Sequence, residues 1–339
     1  MPQQIVIGDL AREFVLALPI GWERWIEKLG KGLPSIVAFH GGAQDPSNFQ
    51  TQWPFHSIID GSLSDSDRFV VFYPYGATPG GGSLSDNRGW NTNWTSTNYQ
   101  DVDDIQFITQ LRSVVNDWMA SRLADAGISY SGAPLDEDRR YLFGYSLGGM
   151  FAFQYARQTT NTFAAVWGEN ATFGGRRHMQ GSLGTTVTNP PLPGTVNQRA
   201  KSLFLHTGTL DTSVVPTGTA SGPPNTSLAN KATYRDKGGL NDTWAGRYAR
   251  GDLPALASIA AYNTLNNTTV QTVLTGQSDR NGGSTSTLTQ WRRVGGANNP
   301  IVEHYSDPTM THTNFASSPK RYFSVSDVWA WFKAHPRVP

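Results

Sequence analysis

Arg139-Arg140-Tyr141-Leu142-Phe143-Gly144-Tyr145-Ser146-Leu147-Gly148-Gly149-Met150-Phe151 is the stretch whose reading decides the fold. Up to Phe143 it reads as a buried strand; from Met150 on, Phe151, Phe153, Gln154, Tyr155 and Ala156 follow at helical spacing without a proline. A strand that turns sharply into a helix at a serine holds the hydroxyl exposed above the sheet edge. Glycines two before and two after, here Gly144 and Gly148, remove the Cβ atoms that would clash in such a turn. With 35 glycines in the chain the five-residue pattern alone can arise by chance, so the strand before it and the helix after it carry the inference. Ser146 is the candidate nucleophile; the bland alternative is a serine in an ordinary tight turn.

Outward from this turn, strand-like runs bounded by Gly and Pro occupy residues 13–18, 35–40, 68–73, 140–145, 164–168, 202–207 and 301–305. Helical patterns fit 103–123, 147–157, 253–264 and 325–334. In the first, Ile105, Phe107, Ile108, Leu111, Val114, Val115 and Trp118 form one broad stripe. Strands alternating with helices predict an α/β protein: a mostly parallel central sheet with helices on both faces. Such sheets place ligand sites at the carboxyl ends of their strands, where Ser146 stands. Residues 173–199 and 214–252 are rich in Gly, Pro, Thr and Asn and too long for idle connections. They read as insertions over the strand ends, either a partial lid or surface decoration. No linker divides the chain, which predicts a single domain over 1–339.

Composition narrows the partners. A formal net charge of +1 and 16% charged residues leave no basic stripe for nucleic acid and no acidic tail. The absence of cysteine excludes disulfides and thiolate metal sites. No apolar run is long enough to span a bilayer, and residues 1–9 lack the regions of a signal peptide. The expectation is a protein that binds neither nucleic acid nor membrane.

A serine hydroxyl needs a base within hydrogen-bond reach, a carboxylate to orient that base, and donors for the oxyanion. The α/β-hydrolase order of serine, acid and histidine narrows the search. Asp211 follows the 202–207 strand through the turn Gly208-Thr209-Leu210, where an orienting acid is expected. Of seven histidines, His40, His56, His178 and His206 precede that acid, His304 lies in a predicted strand, and His335 ends the last helix. His312, in a loop after the last predicted strand, is the candidate base, with His304 as runner-up. The oxyanion requires two backbone N–H groups. Leu147, just after the serine, supplies one, and the run His40-Gly41-Gly42-Ala43-Gln44 supplies the other, through Gly42. His40 would then hold that loop rather than exchange protons; a purely architectural Gly-Gly turn is the alternative.

Other signals are less specific. Trp90 and Trp94 lie in the polar run Asn87-Arg88-Gly89-Trp90-Asn91-Thr92-Asn93-Trp94 and are candidate substrate-binding rings, or else core plugs. Asp101, Asp103 and Asp104 fit the acidic first turn of a helix better than a metal site. No Gly-rich phosphate loop and no His-Glu-x-x-His pair occurs, so no metal and no cofactor is expected.

Taken together, His40-Gly41-Gly42, Phe72-Tyr73-Pro74-Tyr75-Gly76, Gly89-Trp90, Val102-Asp103-Asp104-Ile105-Gln106-Phe107-Ile108, Gly144-Tyr145-Ser146-Leu147-Gly148-Gly149-Met150 and Phe163-Ala164-Ala165-Val166 resemble the polyhydroxybutyrate depolymerase and feruloyl esterase family of α/β hydrolases. The resemblance implies an α/β-hydrolase fold and secreted, cofactor-free serine esterases acting on polyesters, on feruloyl or acetyl groups of plant polysaccharides, or on small esters. It carries nucleophile, acid and base onto Ser146, Asp211 and His312. The chain departs from the family where relatives often have Cys, here Gly42, and where Trp-Pro-Gly often follows the histidine, here Thr313-Asn314-Phe315. The function expected is a carboxylesterase acting on feruloyl, acetyl or short-chain esters, with a polymeric or polysaccharide-linked substrate and an extracellular location implied by the family. A polyester depolymerase and an acyltransferase on the same machinery are alternatives. A non-catalytic carbohydrate-binding protein using Trp90 and Trp94 is the alternative of another class.

Overall fold

The computed structural model describes residues 3–7, 10–44, 46–60, 64–78, 88–90, 102–158, 163–171, 202–208, 268–278, 285–293, 301–307 and 323–337. Within them the strands are β1 (Gln3–Ile7), β2 (Leu10–Ala17), β3 (Leu33–Phe39), β4 (Val70–Pro74), β5 (Leu135–Tyr145), β6 (Ala165–Glu169), β7 (Ser202–Gly208), β8 (Thr268–Ser278), β9 (Thr285–Arg293) and β10 (Ile301–Asp307). The helices are α1 (Trp22–Leu29), α2 (Pro46–Gln52), α3 (Asp104–Asp125), α4 (Leu147–Gln158) and α5 (Val325–Ala334). All ten strands join one sheet in the order β1-β2-β4-β3-β5-β6-β7-β10-β9-β8. The centre, from β4 through β3, β5, β6 and β7 to β10, is parallel. Antiparallel β1–β2 and β9–β8 hairpins extend its two sides.

The two-residue period of the strands splits the core into two layers. Leu33, Val37 and Phe39 of β3, Phe72 of β4 and Leu142 of β5 pack with α1, α3 and α4 through Ile26, Phe107, Leu111 and Phe151. Their sequence neighbours Ile36, Ala38, Tyr73, Tyr141 and Phe143 point the other way, onto Phe49 of α2 and Trp329 and Phe332 of α5. Burial on both faces is why the central strands read as near-continuous apolar runs. The α5 start is held by a capping box in which Ser324 and Asp327 each bond the other's backbone.

The seven predicted strands correspond to β2, β3, β4, β5, β6, β7 and β10, and three of the four predicted helices to α3, α4 and α5. The helix expected at 253–264 and the insertions at 173–199 and 214–252 lie outside the described residues. β1, β8, β9, α1 and α2 were not expected from the sequence. α1 is only eight residues long, set between Gly21 and Gly30, both at positive φ (66° and 61°). Its buried anchors, Trp22 and Ile26, are too few to register as a period. No helix among the described residues is long and apolar enough to cross a membrane.

Candidate active site

β5 ends at Tyr145 and α4 begins at Leu147, so Ser146 alone makes the turn, with φ of 52°. A non-glycine residue in the left-handed region is strained by about 1–3 kcal/mol and persists only when its surroundings fix it. Here the Ser146 N–H donates to the Glu169 carbonyl at the end of β6 (2.9 Å), and its carbonyl accepts from Met150 N–H in α4 (3.0 Å). The glycines around it are required by backbone proximity. A methyl at Gly148 would overlap the Phe39 and His40 carbonyls, and one at Gly144 would overlap Gly148. The first turn of α4 therefore lies directly on the exit of β3, and Ser146 stays partly exposed.

That exit is the loop from His40 to Gln44. Three of the four polar groups of the two peptides that flank Gly41 have a partner. The Trp90 indole N–H donates to the His40 carbonyl (2.9 Å) and Gly41 N–H donates to Gln44 Oε1 (2.8 Å). His40 Nε2 accepts from Gly76 N–H (2.9 Å), so the ring proton is on Nδ1, which donates to the Gly41 carbonyl (2.7 Å). With both ring nitrogens engaged inside the core, His40 holds the loop and is not placed to exchange protons. One residue on, Ala43 N–H donates to the Arg88 carbonyl (2.9 Å) at a φ of 53°. Of the three amides at 41, 42 and 43, the outer two are engaged, while Gly42 N–H has no acceptor among the described residues and Gly42 is exposed. In a trans peptide the N–H points opposite to the C=O, so gripping the Gly41 carbonyl aims the Gly42 amide. Gly42 packs against Leu147; a Cβ added to it would meet Leu147 Cδ2 at 3.0 Å. Leu147, as the first residue of α4, has no helical carbonyl for its own N–H.

Behind the serine lies a buried polar cluster at the ends of β6, β7 and β10. Both Glu169 oxygens are engaged: Trp167 Nε1 donates to Oε2 (2.8 Å) and His206 Nδ1 bonds Oε1 (2.7 Å). Asn170, at φ 53°, ties its N–H to the His206 carbonyl (2.8 Å). His304 Nε2 meets Thr207 Oγ1 at 2.8 Å. Burial, and then repulsion from His206, lower the His304 pKa to about 4. The runner-up base is thus a buried strand residue bonded to a neighbouring strand.

The remaining sequence candidates divide plainly. Asp211, His312 and Trp94 lie outside the described residues. Trp90 is fully buried, stacked on Phe151 (centroids 5.1 Å apart, planes at 12°) and edge-on to Phe39, so it is the core plug of the two expectations rather than an exposed ring for substrate. Asp103 caps α3 by accepting from Gln106 N–H (2.8 Å), and Asp104 pairs with buried Arg12 (2.6 Å), which accounts for both carboxylates without a metal. Among the described residues no group of three or more His, Cys, Asp or Glu is placed to hold a metal ion. Sequence reasoning missed Gln44, Gly76 and Arg88 as loop anchors, and Glu169 with His206. Gly76 and Arg88 stand inside motifs that the sequence singles out, but only the fold shows that they converge on His40 and Ala43.

No family model matches the chain. Over 140 residues, 40% of its length, it is 32% identical to a bifunctional acetylxylan esterase/xylanase of Neocallimastix patriciarum, and it spans 16% of that protein. Its fold is similar to that of an acetyl xylan esterase from Aspergillus awamori, with a TM-score of 0.52 at 12% identity over 98% of this chain and 99% of the other.

Proposed function

We propose that this chain, an α/β hydrolase, is a serine carboxylic-ester hydrolase whose nucleophile is Ser146. The observation that carries the reading is the Ser146 turn: a strained, partly exposed serine between a strand end and a helix start, whose neighbour Leu147 packs against a loop that leaves one amide available at Gly42. In the mechanism, His312 takes the hydroxyl proton as Ser146 attacks the ester carbonyl, and Asp211 orients the imidazole. The N–H groups of Gly42 and Leu147 hold the oxyanion; the alcohol leaves with a proton from His312, and water then releases the acid by the same route.

For substrate, the likeness to a bifunctional acetylxylan esterase/xylanase favours acetyl groups on a plant polysaccharide over a polyester. An extracellular location goes with such a substrate. With Trp90 in the core, the binding-only alternative loses one of its two rings.

The test is hydrolysis of p-nitrophenyl acetate, methyl ferulate, acetylated xylan and a polyhydroxybutyrate film, with labelling by a serine-reactive fluorophosphonate. Ser146→Ala is expected to abolish both turnover and labelling. Retained activity in purified protein would refute the assignment of the nucleophile.

A further inference from the structure

We infer that Gln44, backed by Gln52, is a positioning residue that sets the oxyanion donor Gly42; the inference rests on the ester-hydrolase reading above. Three of the four groups pinning the His40–Ala43 loop come from the protein interior or backbone: the His40 ring, the Trp90 indole and the Arg88 carbonyl. The fourth is the half-buried side chain of a glutamine. Gln44 Oε1 accepts the Gly41 N–H at 2.8 Å, and Gln44 Nε2 donates to Gln52 Oε1 at 2.5 Å, on the last residue of α2.

The geometry makes this pin consequential. Two adjacent glycines, 41 and 42, have the widest choice of backbone conformations, so the peptide that carries the Gly42 N–H is held only as well as its neighbours are held. Gln44 fixes the N–H side of Gly41 and His40 fixes its carbonyl side. Losing the glutamine oxygen leaves Gly41 N–H without its acceptor and frees rotation about Gly41 φ, which swings the next amide. The Gly41 α-carbon is also hemmed in, since an added Cβ would sit 3.0 Å from Tyr145 and 3.1 Å from Gln44 Oε1. Gln44 thus completes the wall that keeps the loop against the end of β5. Its hydrogen bonds go to Gly41 and Gln52, so it acts on the oxyanion donor through the loop, and its contribution appears in the chemical step and not in substrate binding.

The experiment compares wild type, Gln44→Met, Gln52→Leu, Gln52→Glu and the Gln44→Met/Gln52→Leu double variant, reading kcat and KM on p-nitrophenyl acetate, the rate of fluorophosphonate labelling and Tm. Gln44→Met is expected to lower kcat about tenfold, less than the 10²–10³ of deleting an oxyanion donor, with KM nearly unchanged and labelling slowed in step. Gln52→Leu acts in the same direction but more weakly. Gln52→Glu keeps the accepting oxygen and restores activity to within about twofold of wild type. Since both side chains form one clamp, the double variant is no slower than Gln44→Met. Folded Gln44→Met with kcat within about twofold of wild type, or losses that multiply in the double variant, overturns the positioning role alone. A wild type that neither hydrolyses the ester nor takes the label overturns the ester-hydrolase reading, and the clamp's role with it. Gln52→Leu leaves the loop sequence intact, so it decides the matter even if Gln44→Met does not fold.

Discussion

At Ser146 the chain holds an L-residue where glycine is at ease, and a stability trade follows. Ser146→Gly removes the Cβ strain while raising the entropy of the unfolded chain, and the first effect, about 1–2 kcal/mol, exceeds the second, about 0.4–1 kcal/mol. The variant is therefore expected to be inactive and to melt at or above the wild-type temperature, whereas Ser146→Ala keeps the strain and gains little; paired calorimetry of the two decides it. Gly148 makes the opposite case. A methyl there meets the backbone of Phe39 and His40, which no rotamer change relieves, so Gly148→Ala is expected to cost about 3 kcal/mol and to lower activity with it. Denaturant unfolding measures the loss. This much of the site was legible in sequence, because turn, glycines and serine are all local. The state of Trp90 was not: a tryptophan in a polar run looks exposed until Phe39, Phe151 and the His40 carbonyl close around it.

Elements show the same division between local and distant causes. A long apolar stripe and an acidic start mark α3 in the sequence, and the structure gives its two leading carboxylates different partners. Asp103 caps the helix, whereas Asp104 pairs with Arg12 from β2. Arg12 also donates to the Tyr75 carbonyl (3.1 Å) and lies over the Phe107 ring (4.2 Å), so it joins α3 to the segment after β4. Removing one member of a buried pair strands the other, and Asp104→Ala is expected to cost about 3–5 kcal/mol, against about 1 kcal/mol for Ser324→Ala at the α5 cap. A Tm comparison of the two variants checks the ranking. β8 and β9 escaped notice for a physical reason. Thr, Gln and Ser dominate them, and they pair as an antiparallel extension beyond β10, so they lack the apolar run that marks the parallel centre.

Across the whole molecule, the buried polar cluster ties stability to pH. The His304 pKa stands at about 4 in the folded state against 6.5 ordinarily, so between these values the unfolded chain binds more protons than the folded one. Stability from this group is complete above about pH 6.5 and declines as pH falls toward 4, by on the order of 3 kcal/mol in all. His304→Gln, uncharged throughout, is expected to flatten that part of the profile when unfolding is followed in urea from pH 7 to pH 4. Sequence alone placed His304 on a strand, but its partner Thr207 belongs to β7, almost a hundred residues earlier in the chain, and only the parallel pairing of β7 with β10 brings them together.

The anchoring of the His40–Ala43 loop has a temporal consequence. Its fasteners come from α2, from the segment after β4 and from residues 88–90, and none of them belongs to the strand that delivers the loop. Secondary structure can form while these separate pieces are still undocked. During refolding, then, the helical and sheet signal should return before the fluorophosphonate finds a competent serine, and catalytic competence should be the last property the chain recovers.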